Sequence, residues 1–197
     1  MGEYARLITK SSNKIDIEQL KNSLEQDMEI EVVGSSNEVW EKLILKRNDY
    51  NQIIAEIIEV KNIEEEKQEL IKGLDGSKPE NGAEWVKEYI KNSNKIYRFE
   101  LFEGVEDQYG WYSFEAVREA VWECCGGIMQ NDGEGYRNEE GFFIVWQFEY
   151  EVEGPYEAAI LNRDGSWSCF EMELSDEEHI KEFKAGKVPN GLEILEF

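Results

Sequence analysis

The groups with which this chain could do chemistry are one histidine, three cysteines and 44 carboxylates in 197 residues. His179 is the single imidazole, and Asp176, Glu177, Glu178 and Lys181 surround it. The count alone excludes a multi-histidine metal site and leaves a histidine triad without support, so a charged helix surface is the expected setting. Cys124 and Cys125 are adjacent, which leaves no room for the spacer of a CxxC redox motif. Cys124 continues an apolar helical face, and Cys125 precedes Gly126-Gly127 at the helix end, where the partial negative charge raises a thiol pKa. Neither is an expected nucleophile. Asn131-Asp132-Gly133-Glu134-Gly135 puts acids on a glycine-rich loop, but the calcium-loop pattern of ligands at positions 1, 3 and 5 with Glu at 12 is not met. Asp132 and Glu134 with Glu139 or Glu140 amount at most to a weak divalent site, and no metal or cofactor is expected. Dinucleotide fingerprints, P-loops and nucleophile elbows are absent. A glycosidase-like carboxylate pair needs two acids fixed in a cleft, which sequence spacing does not provide. A non-catalytic role is the expectation.

The elements that must carry these residues follow from hydrophobic period. Residues 4–9, 28–33, 39–46 and 52–60 read as strands; Met28, Ile30 and Val32 alternate with Glu29 and Glu31. Asn48 to Asn51 reads as the turn between two of them. Residues 16–26 and 63–73 read as helices, the first opened by a capping box of Asp16 and Gln19. Residues 74–82 gather Gly76, Pro79 and Gly82 among polar neighbours and form the best candidate linker. Beyond it come helix 83–92, strand 95–102, and helix 113–125 with Phe114, Val117, Val121 and Cys124 on one face. The short apolar run FFIVWQF, 142–148, reads as a central strand covered on both faces. Strands 156–162 and 166–174 flank an Asp164-Gly165 hairpin turn, and a capping box of Ser175 and Glu178 opens a last helix, 176–184.

The expected fold is therefore α+β, a mixed or antiparallel sheet with packed helices, in a pattern that admits two similar β-α-β-β-β-α halves. The expected division is 1–74, a linker at 75–82, and an aromatic-rich acidic half at 83–197, which could also join the first half in one domain.

Charge bears on partners. Against 44 acids stand 21 Lys and Arg, a formal charge of −23, which repels phosphate backbones and anionic lipid. Direct nucleic-acid or membrane binding is disfavoured and a basic protein surface is favoured. Three cysteines, two adjacent, do not form a disulfide framework, and the N-terminal sequence lacks a secretory pattern, so the expected location is cytoplasmic. From residue 95 onward lie 24 of the acids against 8 basic residues, and 19 of the 24 aromatics.

In size, acidity, aromatic content and lack of catalytic residues the chain resembles the small cytosolic immunity proteins that neutralise bacterial toxins. That resemblance is one of composition and transfers no residue. The expected function is a non-catalytic intracellular binding protein, of inhibitor or immunity type, engaging a basic protein through Asp132, Glu134, Tyr136, Glu139, Glu140, Glu149, Tyr150, Glu151 and Glu153. The alternatives are a nucleic-acid mimic, or a small-molecule-binding domain or unassigned enzyme with Trp111, Trp122 and Trp146 lining an apolar pocket.

Overall fold

A computed structural model describes residues 4–24, 27–36, 39–47 and 52–195. These hold five helices and ten strands, an α+β protein. None of the helices is long and apolar enough to cross a membrane. The elements are β1 (Tyr4–Thr9), α1 (Ile17–Asn22), β2 (Met28–Ser36), β3 (Val39–Arg47), β4 (Gln52–Glu59), α2 (Ile63–Gly73), α3 (Glu80–Lys91), β5 (Lys95–Leu101), α4 (Gln108–Cys125), β6 (Ile128–Asn131), β7 (Gly135–Arg137), β8 (Phe143–Trp146), β9 (Pro155–Leu161), β10 (Trp167–Glu173) and α5 (Glu177–Lys184). The expected turn at 48–51 lies outside the described residues.

The chain divides into two units, neither continuous in sequence: Met1–Ile63 with Ser93–Gly127, and Glu64–Asn92 with Ile128–Phe197. This differs from the expected division. Residues 75–82 lie wholly inside the second unit, where they join α2 to α3. Their Gly and Pro content marks a turn, but not a free linker: Pro79 is buried, and the Trp146 backbone N–H donates to the Lys78 carbonyl at 2.7 Å. The units also differ in element order, so they do not repeat one another. The first runs β-α-β-β-β and then β-α; the second supplies two helices, then five strands and a helix.

In the first unit all strand pairs are antiparallel, in the order β1-β5-β4-β3-β2. The alternation in β2 sends Met28 and Ile30 inward and leaves Glu29 and Glu31 outside, where Lys46 of β3 reaches both carboxylates at 2.9 Å. Inward residues Leu7, Leu43, Ile57 and Phe99 meet the buried face of α4, with Phe99 and Phe114 edge to face at 6.1 Å. That helix begins five residues before the expected start at Ser113. Its N-cap is Asp107, whose carboxylate accepts the Gly110 N–H at 2.7 Å. α1 is shorter than expected, ending at Asn22, with Asp16 as its cap.

The second unit is mixed, in the order β10-β9-β8-β7-β6, with β8 and β9 parallel and the other pairs antiparallel. β8 is central, and Phe143, Ile144 and Val145 are buried in succession, as a strand covered on both faces requires. It is shorter than the apolar run, ending at Trp146. Phe143, Phe170 and Phe183 anchor the core with α5. α3 lies so near β8 that a side-chain carbon on Gly82 would sit 2.5 Å from the Ile144 carbonyl oxygen. Asn81 Nδ2 donates to the Leu161 carbonyl at 2.7 Å, and Trp85 meets Trp167 at 5.1 Å. The cap of α5 is Asp176 rather than Ser175. Its carboxylate accepts from the Glu178 and His179 backbone N–H groups, while the Ser175 hydroxyl donates to Glu173.

The start of α4 rests on a contact between glycines. A Cβ at Gly110 would stand 1.8 Å from the Gly104 carbonyl oxygen, a backbone atom with no room to turn aside. Gly to Ala within a helix is ordinarily stabilising by about 0.5–1 kcal/mol. Here the sign reverses: Gly110→Ala is expected to destabilise by about 1–3 kcal/mol through forced backbone movement. A urea midpoint equal to or above wild type would contradict this packing.

Candidate functional site

The groups with chemical potential are held in structural roles. His179 Nε2 lies 3.8 Å from Asp176 Oδ2 on a half-buried helix face. Cys125 is buried, and that burial, followed by the neighbouring Cys124, pushes its thiol up to about 11. Cys169 is raised by burial first, then by Glu140 and Glu157. Cys124 is half-exposed, with Sγ 3.2 Å from the Lys14 carbonyl.

The nine residues expected to bind a partner all lie in the second unit, but they do not form one surface. Tyr136 is corrected outright: its side chain is 2% exposed in β7, where it serves the core and cannot be presented to a partner. The stretch expected as a loop, 132–140, is a turn, a three-residue strand and a second turn. Met129 pairs with Arg137, and Gly135 with Trp146. Asp132 and Glu134 therefore sit at one end of β7, and Glu139 and Glu140 at the other. The divalent site considered from sequence is not assembled, and among the described residues no three His, Cys, Asp or Glu side chains are grouped to hold a metal. Glu139 accepts a hydrogen bond from the Tyr89 hydroxyl at 2.7 Å. Glu134 accepts from Asn131 Nδ2 at 2.8 Å and more weakly from Tyr156.

Glu149, Tyr150, Glu151 and Glu153 do belong together, beside the Asp132–Glu134 turn. The Gln147 backbone N–H donates to the Glu134 carbonyl at 2.7 Å, and the Gly154 N–H donates to the Glu173 carboxylate at 2.6 Å, fixing the segment at both ends. Phe148 and Val152 turn inward onto the Phe143 cluster. The three glutamates turn outward with Tyr150, which is 59% exposed, and no described cation pairs with these glutamates. The polypeptide's own alternation produces this face.

Regrouped by unit, the composition changes its message. The first unit has 11 basic and 19 acidic residues, a net of −8; the second has 10 and 25, a net of −15. The charge asymmetry survives. Aromatics number 11 and 13, so their apparent concentration in the second half arose from placing the boundary in the wrong position. Most second-unit aromatics are core. The exposed ones missed by sequence reasoning are Tyr109, Tyr112 and, in part, Trp111, on the unexpected first turn of α4. The three tryptophans offered as a pocket lining are dispersed. Trp111 is open to solvent, Trp122 donates its indole N–H to the Gly127 carbonyl at 2.8 Å, and Trp146 packs in the Phe143 cluster. A groove of about 530 Å³ in the first unit is lined instead by Trp40, Tyr97, Glu59, Lys14, Lys61 and Lys95 among others.

Asp107, which caps that first turn, also receives both terminal nitrogens of Arg47, at 2.8 and 2.9 Å. The Arg47 hydrogen bond first, then the Gly110 N–H, lowers its pKa to about 2. Because the folded value lies below the unfolded one of about 3.9, its stabilising contribution is present above pH 4 to 5 and is lost as pH falls through 4 toward 2.

Two outcomes follow from these environments. Burial raises the Cys125 and Cys169 thiols; iodoacetamide should modify Cys124 in the folded protein and spare Cys125 and Cys169 until urea is added, as read by mass spectrometry. Rapid labelling of Cys125 without denaturant would show its burial to be wrong. Asp107→Asn keeps a capping oxygen but loses the charge, so its urea midpoint should fall less than wild type between pH 5 and pH 2. Parallel acid profiles would dismiss the Arg47 pair as a source of stability.

Comparison with known protein families, curated proteins and solved structures gives no match, so the function must be read from these side chains alone.

Proposed function

We propose that this chain is a non-catalytic binding protein of the cytoplasm that captures a basic protein partner, in the manner of an inhibitor or immunity protein. One observation carries the reading: Glu149, Glu151 and Glu153 stand outward and unpaired beside an exposed Tyr150, on a segment fastened at both ends, in a unit of net charge −15. Unpaired carboxylates at a rim accelerate encounter with a positive surface, and an amphipathic ring supplies the area that charge alone does not. A fastened loop loses little conformational freedom on binding. The buried, pKa-raised thiols of Cys125 and Cys169 agree with a binding role, since neither is placed as a nucleophile.

The test is affinity capture from the native cell with the wild-type chain and with a Glu149→Lys/Glu151→Lys/Glu153→Lys variant of unchanged circular dichroism. Wild type should recover one dominant basic protein, and the variant at least tenfold less of it, a loss of about 1.4 kcal/mol or more. Equal recovery by both would remove this surface from the interface.

A further inference from the structure

The outer side of α4 in the first unit displays large rings, of which Trp111 also packs against Phe114 at 5.7 Å. Tyr109 is 65% exposed, Trp111 42% and Tyr112 56%, three large rings within four residues. Exposed aromatics gathered this closely mark contact sites, because Trp and Tyr left in water contribute nothing to the core and supply the largest contact energies at interfaces. At helical spacing, Tyr112, Glu119 and Glu123 lie on one outward stripe, opposite the buried stripe of Phe114, Val117 and Val121. Glu103 and Glu106, just before the helix, extend the acidic border. All four glutamates are exposed, and no described cation pairs with them.

Two cations close to this helix are already engaged. Arg47 is held by Asp107, and Arg118 by Glu115 at 2.6 Å while lying over the Phe114 ring. The turn itself is fixed by the Gly110 and Gly104 contact and by the Asp107 cap, so the rings are presented on a rigid base. Tyr112 Oη accepts a hydrogen bond from Gln108 Nε2 at 2.8 Å, which leaves its own O–H to donate outward.

We propose that this face docks a lysine- and arginine-rich segment of a protein partner, the basic side chains lying over the rings of Tyr109, Trp111 and Tyr112 and pairing with Glu103, Glu106, Glu119 and Glu123. Charge complementarity selects this occupant. Aromatic faces attract cations, the surrounding carboxylates add to that attraction, and the unit's net charge of −8 opposes nucleic acid and anionic lipid. The inference deepens the binding-protein reading, on which it rests, by placing a contact on the first unit.

The test titrates the ¹⁵N-labelled full chain with a ten-residue oligolysine peptide at low salt. The Trp111 indole signal and the backbone signals of 103–123 should shift first. Tyr109→Ala/Tyr112→Ala, which leaves the charge unchanged and replaces the two most exposed rings of the face, should weaken binding at least fivefold with an unaltered urea midpoint. Glu103→Gln/Glu106→Gln/Glu119→Gln/Glu123→Gln should weaken it further. The proposal is overturned if the double aromatic variant binds within twofold of wild type, or if the face takes up phosphatidylglycerol vesicles in preference to the peptide. It is overturned as well if the largest shifts fall on 149–153, a result that leaves the acidic surface of the second unit standing. Absence of any shift with the wild-type chain overturns this docking face and leaves the second unit's surface to the capture experiment.

Discussion

The approach of Gly110 to the carbonyl of Gly104 is the constraint on which the first unit turns. It permits α4 to begin directly against the 3-10 turn Glu103–Val105, and that position brings Asp107 to Arg47 at the end of β3. The helix then runs with Phe114, Val117 and Val121 toward the sheet, closing the core over Phe99. Each later contact of α4 inherits its direction from this first one. A side chain at Gly110 would displace the helix origin, and with it the N-cap, the ion pair and the packing beyond, while one at Gly104 would meet the Ile53 carbonyl of β4 at 2.5 Å.

A second constraint is the charge of −23, which the fold manages by local pairing. Glu18 with Lys21, Glu64 with Lys67, Glu84 with Lys87, Glu88 with Lys91 and Glu178 with Lys181 repeat one arrangement, acid three residues before base on the same helix. Individually such pairs contribute only a few tenths of a kcal/mol. Their larger effect is distributive. They consume the helical lysines in place, so that surplus carboxylate accumulates where no lysine follows, on the 149–153 segment and the outer side of α4. An acidic surface thus emerges from where the lysines are spent.

Much of the architecture was legible where a residue's neighbours in sequence are also its reasons. β1, β4 and β10 announce themselves by period and by turn residues, and α2 by its apolar spacing and terminal glycine. Elsewhere the reasons are distant. Gly110 lowers the local expectation of helix, and the carbonyl that demands a glycine there belongs to another element, so the first turn of α4 and its exposed rings were hidden. β6 and β7 have four and three residues, too few for a pattern, and are strands because Met129 and Asn131 find partners in Arg137 and Gly135. Tyr136 looked like a loop residue for the same reason. Of the residues expected to bind a partner, Glu149, Glu151 and Glu153 are exposed; what failed was the premise that residues near one another in a loop share a face.

The interleaved construction has a consequence for how the chain is made. β1 pairs with β5, Tyr4 opposite Glu100, so β1 waits after synthesis for a strand made about ninety residues later. Between them α3 emerges with Val86 and Ile90 still uncovered, since β8 and β9, on which it packs, are synthesised later. Neither unit can mature as a contiguous nascent fragment. Each must hold an unfinished hydrophobic surface while part of the other is translated, a window that opens the nascent chain to chaperones.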